Sequence, residues 1–268
     1  MSCRTIVFSH ANSFPASTYR SLFRVWEAAG FDVHAIDKFG HDPRYPVTAD
    51  WPHLVEQLRD FVERQVGRPA YLIGHSLGGY LSLMLASRHP DLAQGLILLD
   101  SPILSGWKAA SLGMLKALGG IDRVMPSGVS AQRCHRWPDL ESARLHFTVK
   151  PKFAAFSPSV LAAYVEEGTA PDSDTQVRRL SFDRDIETAI YRTLPHRLVQ
   201  ELRRHPVRCP SAFIGGTRSH EVRSIGLSAT RRLVGDRVSW VQGSHLFPME
   251  HPQQTAQEVL QWLQRFAS

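Results

Sequence analysis

The chain of 268 residues has no apolar run approaching the roughly 20 residues that a membrane-spanning helix needs. No membrane span is therefore expected. Cysteine is scarce: Cys3, Cys134 and Cys209 are far apart, odd in number and free of any C-x-x-C spacing. That excludes a disulfide framework and a thiolate zinc site, and it fits free thiols in a reducing compartment. The strand-like Arg4-Thr5-Ile6-Val7-Phe8 begins at once and leaves no room for a signal peptide. A cytoplasmic location is the expectation. Concentrated charge is also missing. The net +6 is modest for this length, and Arg178-Arg179, Arg203-Arg204 and Arg231-Arg232 are isolated pairs. A nucleic-acid surface would need clustered cations interleaved with aromatics, so no nucleic-acid partner is expected. There is no internal repeat and no low-complexity tract.

What the chain does have is alternation. Short apolar runs at residues 4–9, 31–37, 70–75 and 95–99 are separated by segments of helical periodicity at 16–29, 50–67 and 77–88. Strands alternating with helices of this length imply an α/β fold: a mostly parallel central sheet with helices on both faces. The rhythm breaks at Ser101. About a hundred residues of mainly helical pattern follow, for example 108–118, 159–167 and 185–204, with Pro and Gly punctuation. It resumes at Pro210 with strands at 211–214 and 237–241 and helices at 223–234 and 252–266. The expected organisation is a split core, 1–100 and 206–268, with a helical cap, 101–205, inserted after the fourth strand.

The stretch Ala70 to Tyr80, AYLIGHSLGGY, carries G-x-S-x-G at Gly74-His75-Ser76-Leu77-Gly78. This spacing suits a sharp strand-to-helix turn that lifts the Ser76 hydroxyl clear of the sheet. Side chains at Gly74 and Gly78 would collide with neighbouring elements there. The Leu77 N–H, at a helix N-terminus, is free to face a developing oxyanion. A serine hydroxyl is barely nucleophilic at neutral pH and needs a base. Asp100 closes an apolar strand and is well placed at the C-terminal edge of a parallel sheet. His75 is expected to point away from the nucleophile, as a packed histidine under the turn.

Together GHSLGG (74–79), SHANSFP (9–15) and GSHLFPMEHP (243–252) resemble the α/β-hydrolase superfamily, in its capped, esterase-like serine form, over both core segments. The chain departs from it by starting at what resembles the family's third strand. The resemblance implies that Ser76 is the nucleophile, His245 the general base, and Leu77 and Asn12 the N–H donors of an oxyanion hole. His251 nearby is read as the start of the last helix, and His10 as a brace for its loop. The family's usual acid position falls on Ser219, which carries no charge. Asp100 is the favoured acid, from the end of the preceding strand, and Glu221 is the alternative. The implied activity is hydrolysis of a carboxylic ester of a small or medium, mainly hydrophobic substrate. The same residues would serve a thioester, a lactone, a C–C bond or acyl transfer, and a non-catalytic binding protein on this scaffold is the alternative from another class. No cofactor and no metal are expected.

Overall fold

The structure, a computed structural model, describes residues 4–123, 127–172 and 177–267. Cys3 lies outside the described residues. Six parallel strands form the central sheet in the order β2-β1-β3-β4-β8-β9. The chain runs β1 (Arg4–Ser9), α1 (Arg20–Ala28), β2 (Phe31–Ala35), α2 (Pro52–Phe61), β3 (Ala70–His75), α3 (Leu77–Arg88) and β4 (Ala93–Leu99). Then come α4 (Gly106–Ala117), α5 (Ser127–Gln132), β5 (Arg136–Trp137), α6 (Leu140–Thr148), α7 (Pro151–Ala154) and α8 (Pro158–Glu167). After them lie β6 (Thr169–Pro171), β7 (Arg178–Leu180), α9 (Arg184–Arg192) and α10 (Leu198–Arg204). The core resumes with β8 (Ser211–Gly216), α11 (His220–Ile225), α12 (Ser228–Val234), β9 (Val238–Val241), α13 (Phe247–Glu250) and α14 (Pro252–Ala267).

The central strands β3, β4 and β8 are largely apolar on both sides because each face of the sheet is covered. In β1, Ile6 and Phe8 point into a core shared with Trp26 of α1 and Val259 and Leu263 of α14. Val7, between them, points into the opposite core with Leu54 and Leu58 of α2 and Leu81 and Leu85 of α3. Strand order reverses direction between β1 and β3, which pair in register with Ser9 opposite Gly74. In open α/β sheets the crevice outside the carboxyl ends of strands at such a switch is where ligands bind. Ser76 and the 10–15 loop both emerge there.

Several segments of helical pattern are subdivided, each with a local cause. The 185–204 stretch forms two helices, α9 and α10, with Pro195 in the gap. The 223–234 stretch gives α11 and α12, broken at Gly226 with φ 83°. The segment between β4 and β8 is mainly helical but also contains a small antiparallel sheet, β5-β7-β6. Its strands are two or three residues long, too short to display a period of two. Its aromatic residues Phe153, Phe156 and Tyr164 pack on Phe14, with ring centroids 6.3, 6.0 and 5.4 Å away. By contrast Trp107 and Met114 of α4 face solvent, at 74% and 66% exposure. None of the helices is long and apolar enough to cross a membrane, among the described residues.

Candidate active site

Ser76 stands between β3 and α3 with φ 54° and ψ −114°. An L-residue rarely adopts such a backbone, and its neighbours leave no alternative path. A Cβ on Gly74 would lie 2.2 Å from the Gly78 carbonyl oxygen, and one on Gly78 would lie 2.0 Å from the Ser9 carbonyl oxygen. The two glycines let α3 start hard against β1 and β3, which forces the turn at Ser76. The turn is pinned by the Ser76 N–H to the Leu99 carbonyl at 3.0 Å, and by the Ser101 hydroxyl to the Ser76 carbonyl at 3.0 Å. Leu77 opens α3, where first-turn N–H groups have no partner within the helix.

Three of the residues expected from the sequence meet here. His245 Nε2 is 3.0 Å from Ser76 Oγ, and His245 Nδ1 is 2.7 Å from Asp100 Oδ2. Asp100 is 1% exposed and has φ 47°, a second strained backbone that turns its carboxylate back over the strand ends. Its Oδ1 accepts the Gly216 N–H at 2.8 Å. Its Oδ2 also accepts the Ser219 hydroxyl at 2.5 Å. Glu221 lies farther from the imidazole, 3.8 Å from Nδ1, and its side chain is 43% exposed. Asp100, Glu221 and His245 could also gather round a cation, since their ligand atoms lie within 4.8 Å of one another. The Asp100 oxygens, however, already accept three hydrogen bonds.

Burial by itself would lower the His245 pKa. The hydrogen bond with Asp100 and its charge, helped by Glu221, outweigh burial, so the imidazole is raised above its ordinary value. The loop that carries His245 is fixed from behind. Glu250 Oε2 accepts the Ser244 N–H at 3.0 Å, Glu250 Oε1 accepts the Ser244 hydroxyl, and Ser244 Oγ accepts the Leu246 N–H at 3.1 Å. His251 lies outside this cluster, where its carbonyl accepts the Thr255 N–H at the start of α14.

The 10–15 loop brings Asn12 to the same sheet edge. The Asn12 side chain is anchored through Nδ2 to the Glu187 carbonyl at 3.0 Å. His10 is fully buried, with Nδ1 donating to the Ala11 carbonyl at 2.8 Å and Nε2 accepting the Phe39 N–H at 2.9 Å. Burial pushes its pKa down to about 4, which keeps it neutral in this bracing role.

Two contributions were not legible in the sequence. Ser219 carries no charge, yet it holds the Asp100 carboxylate by donating to it while accepting the Val222 N–H at 3.1 Å as the cap of α11. His75 does point away from Ser76, but not into idle packing. Its Nε2 donates to the His245 carbonyl at 2.8 Å, and its Nδ1 accepts the Tyr19 hydroxyl at 2.7 Å. The Tyr19 oxygen in turn accepts the Ala11 N–H at 3.2 Å. Burial first, then the neighbouring His245, hold the His75 pKa well below the ordinary value, consistent with one proton shared out in this order. Only the pairing of two buried polar side chains with two loop backbones could have signalled this, and a linear sequence does not display it.

A parallel sheet with a serine on a strained strand-to-helix turn, next to an imidazole backed by a carboxylate, is the arrangement that defines the α/β-hydrolase class. The chain belongs to the Alpha/beta hydrolase family, whose sequence pattern matches residues 6–258. It is similar to a pyrethroid hydrolase of Sphingobium wenxiniae, 34% identical over 104 residues, 38% of this chain and 37% of that protein. It is also similar to a pimeloyl-[acyl-carrier protein] methyl ester esterase of Neisseria meningitidis, 40% identical over 73 residues, 27% of each chain. The matched stretches thus span well under half of either relative. Among solved structures, E-2-(acetamidomethylene)succinate hydrolase superposes with a TM-score of 0.76 at 21% identity, over 98% of this chain and 92% of that one.

Proposed function

We propose that this chain is a serine hydrolase that cleaves a carboxylic ester of a small or medium, mainly hydrophobic substrate. The observation that carries the reading is the continuous line from Ser76 Oγ to His245 Nε2 and from His245 Nδ1 to Asp100, at 3.0 and 2.7 Å. Ser76 is partly exposed, so a substrate can reach it. His245 takes the hydroxyl proton as Ser76 Oγ attacks the acyl carbon. The carbonyl π electrons move onto oxygen, which the Leu77 and Asn12 N–H groups hold. The tetrahedral intermediate collapses, and the proton on His245 passes to the departing alkoxide. Water, deprotonated by the same imidazole, then cleaves the acyl-enzyme, and the proton returns to Ser76. Asp100 keeps the imidazole in the tautomer with its proton on Nδ1 and stabilises the imidazolium.

An ester is favoured within the wider set of acyl substrates because a relative named above is itself an ester hydrolase. A cap of residues 101–205 would supply the aromatic wall over the 10–15 loop and limit water near Ser76. The binding-protein alternative drew on the uncharged residue 219. Ser219 hydrogen-bonds the buried Asp100, so no observation favours that alternative. A fluorophosphonate probe tests the proposal. A stoichiometric mass gain on the parent chain and none on Ser76→Ala is expected. A folded parent that acquires no adduct overturns it.

A further inference from the structure

A cavity of about 500 Å³ opens between the loop after β2 and the small β5-β7-β6 sheet. Four cations line it, Lys38, Arg136, Arg179 and Arg184, with His41 and His135 beside them, and among the described residues its carboxylates are Asp183 and Asp185. The reaction proposed above uses none of these groups. Two observations show that their charge is only partly balanced by the chain itself. Arg136 on β5 and Arg179 on β7 sit directly opposite each other in the antiparallel ladder. Like charges facing across two strands repel, and a sequence that keeps them there has a reason to tolerate the cost. Among the described residues, no acidic group lies within ion-pair distance of either guanidinium, nor of Arg184 or Lys38. Arg184 instead donates to the carbonyls of Ala131 and Arg133, both at 3.2 Å, and Lys38 donates to that of Ser181 at 3.3 Å.

The two rim carboxylates offset part of this charge and leave the four cations in excess. Asp183 is occupied as the cap of α9, accepting the N–H groups of Asp185 and Ile186 at 2.7 and 3.3 Å. His41 is likewise committed, with Nδ1 on the Phe39 carbonyl and Nε2 accepting the Asp183 N–H. The field at His135 has the same sign. His135 is held below its ordinary pKa by burial and then by Arg184 and Arg136. His41 is lowered chiefly by burial; Lys38 lowers it further, while its bond to Phe39 and the Asp183 and Asp37 charges raise it.

We infer that this cavity is a binding site for a phosphorylated small molecule, whose phosphoryl oxygens bridge Arg136 and Arg179. Guanidinium forks match phosphate oxygens in pairs, and a multiply charged oxyanion converts the repulsive ladder pair into a shared clamp. A single carboxylate would leave most of the four cations unmatched. The site is separate from Ser76. Phe182 touches both rings that face it from either side, His41 at 4.3 Å and His10 of the 10–15 loop at 5.9 Å.

Titration calorimetry with inorganic pyrophosphate on the full chain at low ionic strength tests the assignment. One pyrophosphate per chain is expected, bound about tenfold or more weakly by Arg136→Ala and by Arg179→Ala, the loss of one charge-assisted clamp. Arg144→Ala, which removes a surface arginine already paired with Glu141, is expected to bind as the parent does. Ser76→Ala is expected to retain full binding. Thermal melts without anion guard against a folding artefact: each clamp variant should melt no lower than the parent, because a repulsion is removed. With pyrophosphate only the parent and the two control variants should gain melting temperature. No binding, equal binding by the clamp variants, or binding lost in Ser76→Ala would each overturn the inference.

Discussion

Asp100 and Glu221 both approach His245, and distance separates their roles. Asp100 is buried, 2.7 Å from Nδ1 and hydrogen-bonded to it, whereas Glu221 is 3.8 Å away and 43% exposed. An exposed charge at that distance adds field without fixing a tautomer. Asp100→Asn is therefore expected to lower ester turnover by roughly 10³-fold or more, the cost of a misoriented imidazole. Glu221→Gln should leave turnover at high pH nearly intact and change only where it titrates. The sign follows from the charges. His245 must be neutral to act as base in the proposed reaction, so the rate rises with pH through its pKa, which is raised from its ordinary value. Removing the Glu221 charge takes away one of the groups that raise that pKa, so the rising limb moves to lower pH. The same linkage acts on folding: protonated His245 contributes stability below its unfolded pKa, and this is lost as pH rises through the folded one. pH–rate profiles of the parent and both variants check this. A Glu221→Gln loss as large as that of Asp100→Asn would make Glu221 the acid.

At the scale of elements, the elbow depends on how closely α3 approaches the sheet. Gly78→Ala would set a Cβ 2.0 Å from the Ser9 carbonyl, a backbone atom at the end of β1 that cannot swing aside. A loss of about 3 kcal/mol is expected, the upper range for forced overpacking. Gly128→Ala provides the contrast. Among the described residues nothing lies within 4 Å of its added Cβ, and it is in helix α5 without a left-handed φ. It should be neutral or stabilising by up to about 1 kcal/mol. Urea unfolding of the two variants decides, and equal midpoints would remove the close-approach argument. The elbow was legible in the sequence because these constraints are local: two glycines, a serine and flanking apolar runs within eleven residues. The six-stranded sheet was legible for a related reason, since strands buried on both faces read as unbroken apolar runs such as Gly95-Leu96-Ile97-Leu98-Leu99. The β5-β7-β6 sheet was not. Two-residue Arg136–Trp137 holds no period, and its ladder partner Arg178–Leu180 lies some forty residues on.

At the scale of the whole molecule, the site is assembled from distant stretches of chain: Asn12, Ser76, Asp100, Ser219 and His245. Asn12, Ser76, Asp100 and His245 could be picked out from the sequence because each closes or follows a strand at one sheet edge. The bonds that hold them in register could not, because they join side chains to backbones across that edge. The longest such link runs from the Ala11 N–H to Tyr19, to His75, and to the His245 carbonyl, at 3.2, 2.7 and 2.8 Å. It ties the loop of Asn12 to the loop of His245, through the residue next to Ser76. Its members are buried, so no water stands in when one bond is lost. Tyr19→Phe keeps the ring packing, with Phe8 at 4.6 Å, and deletes only the hydroxyl. Two polar groups are then left without partners, the Ala11 N–H and His75 Nδ1. The expected cost is about 2 kcal/mol of folding stability, the usual range for unsatisfied buried groups. The functional expectation is sharper. Both loops lose their common anchor, so turnover should fall about tenfold with KM nearly unchanged, the pattern for an interaction made in the transition state. Steady-state kinetics and chemical denaturation of the one variant separate two roles. Lower turnover at unchanged KM places Tyr19 as a positioning residue for the reaction, whereas lost stability at full turnover would reduce the link to a structural tie.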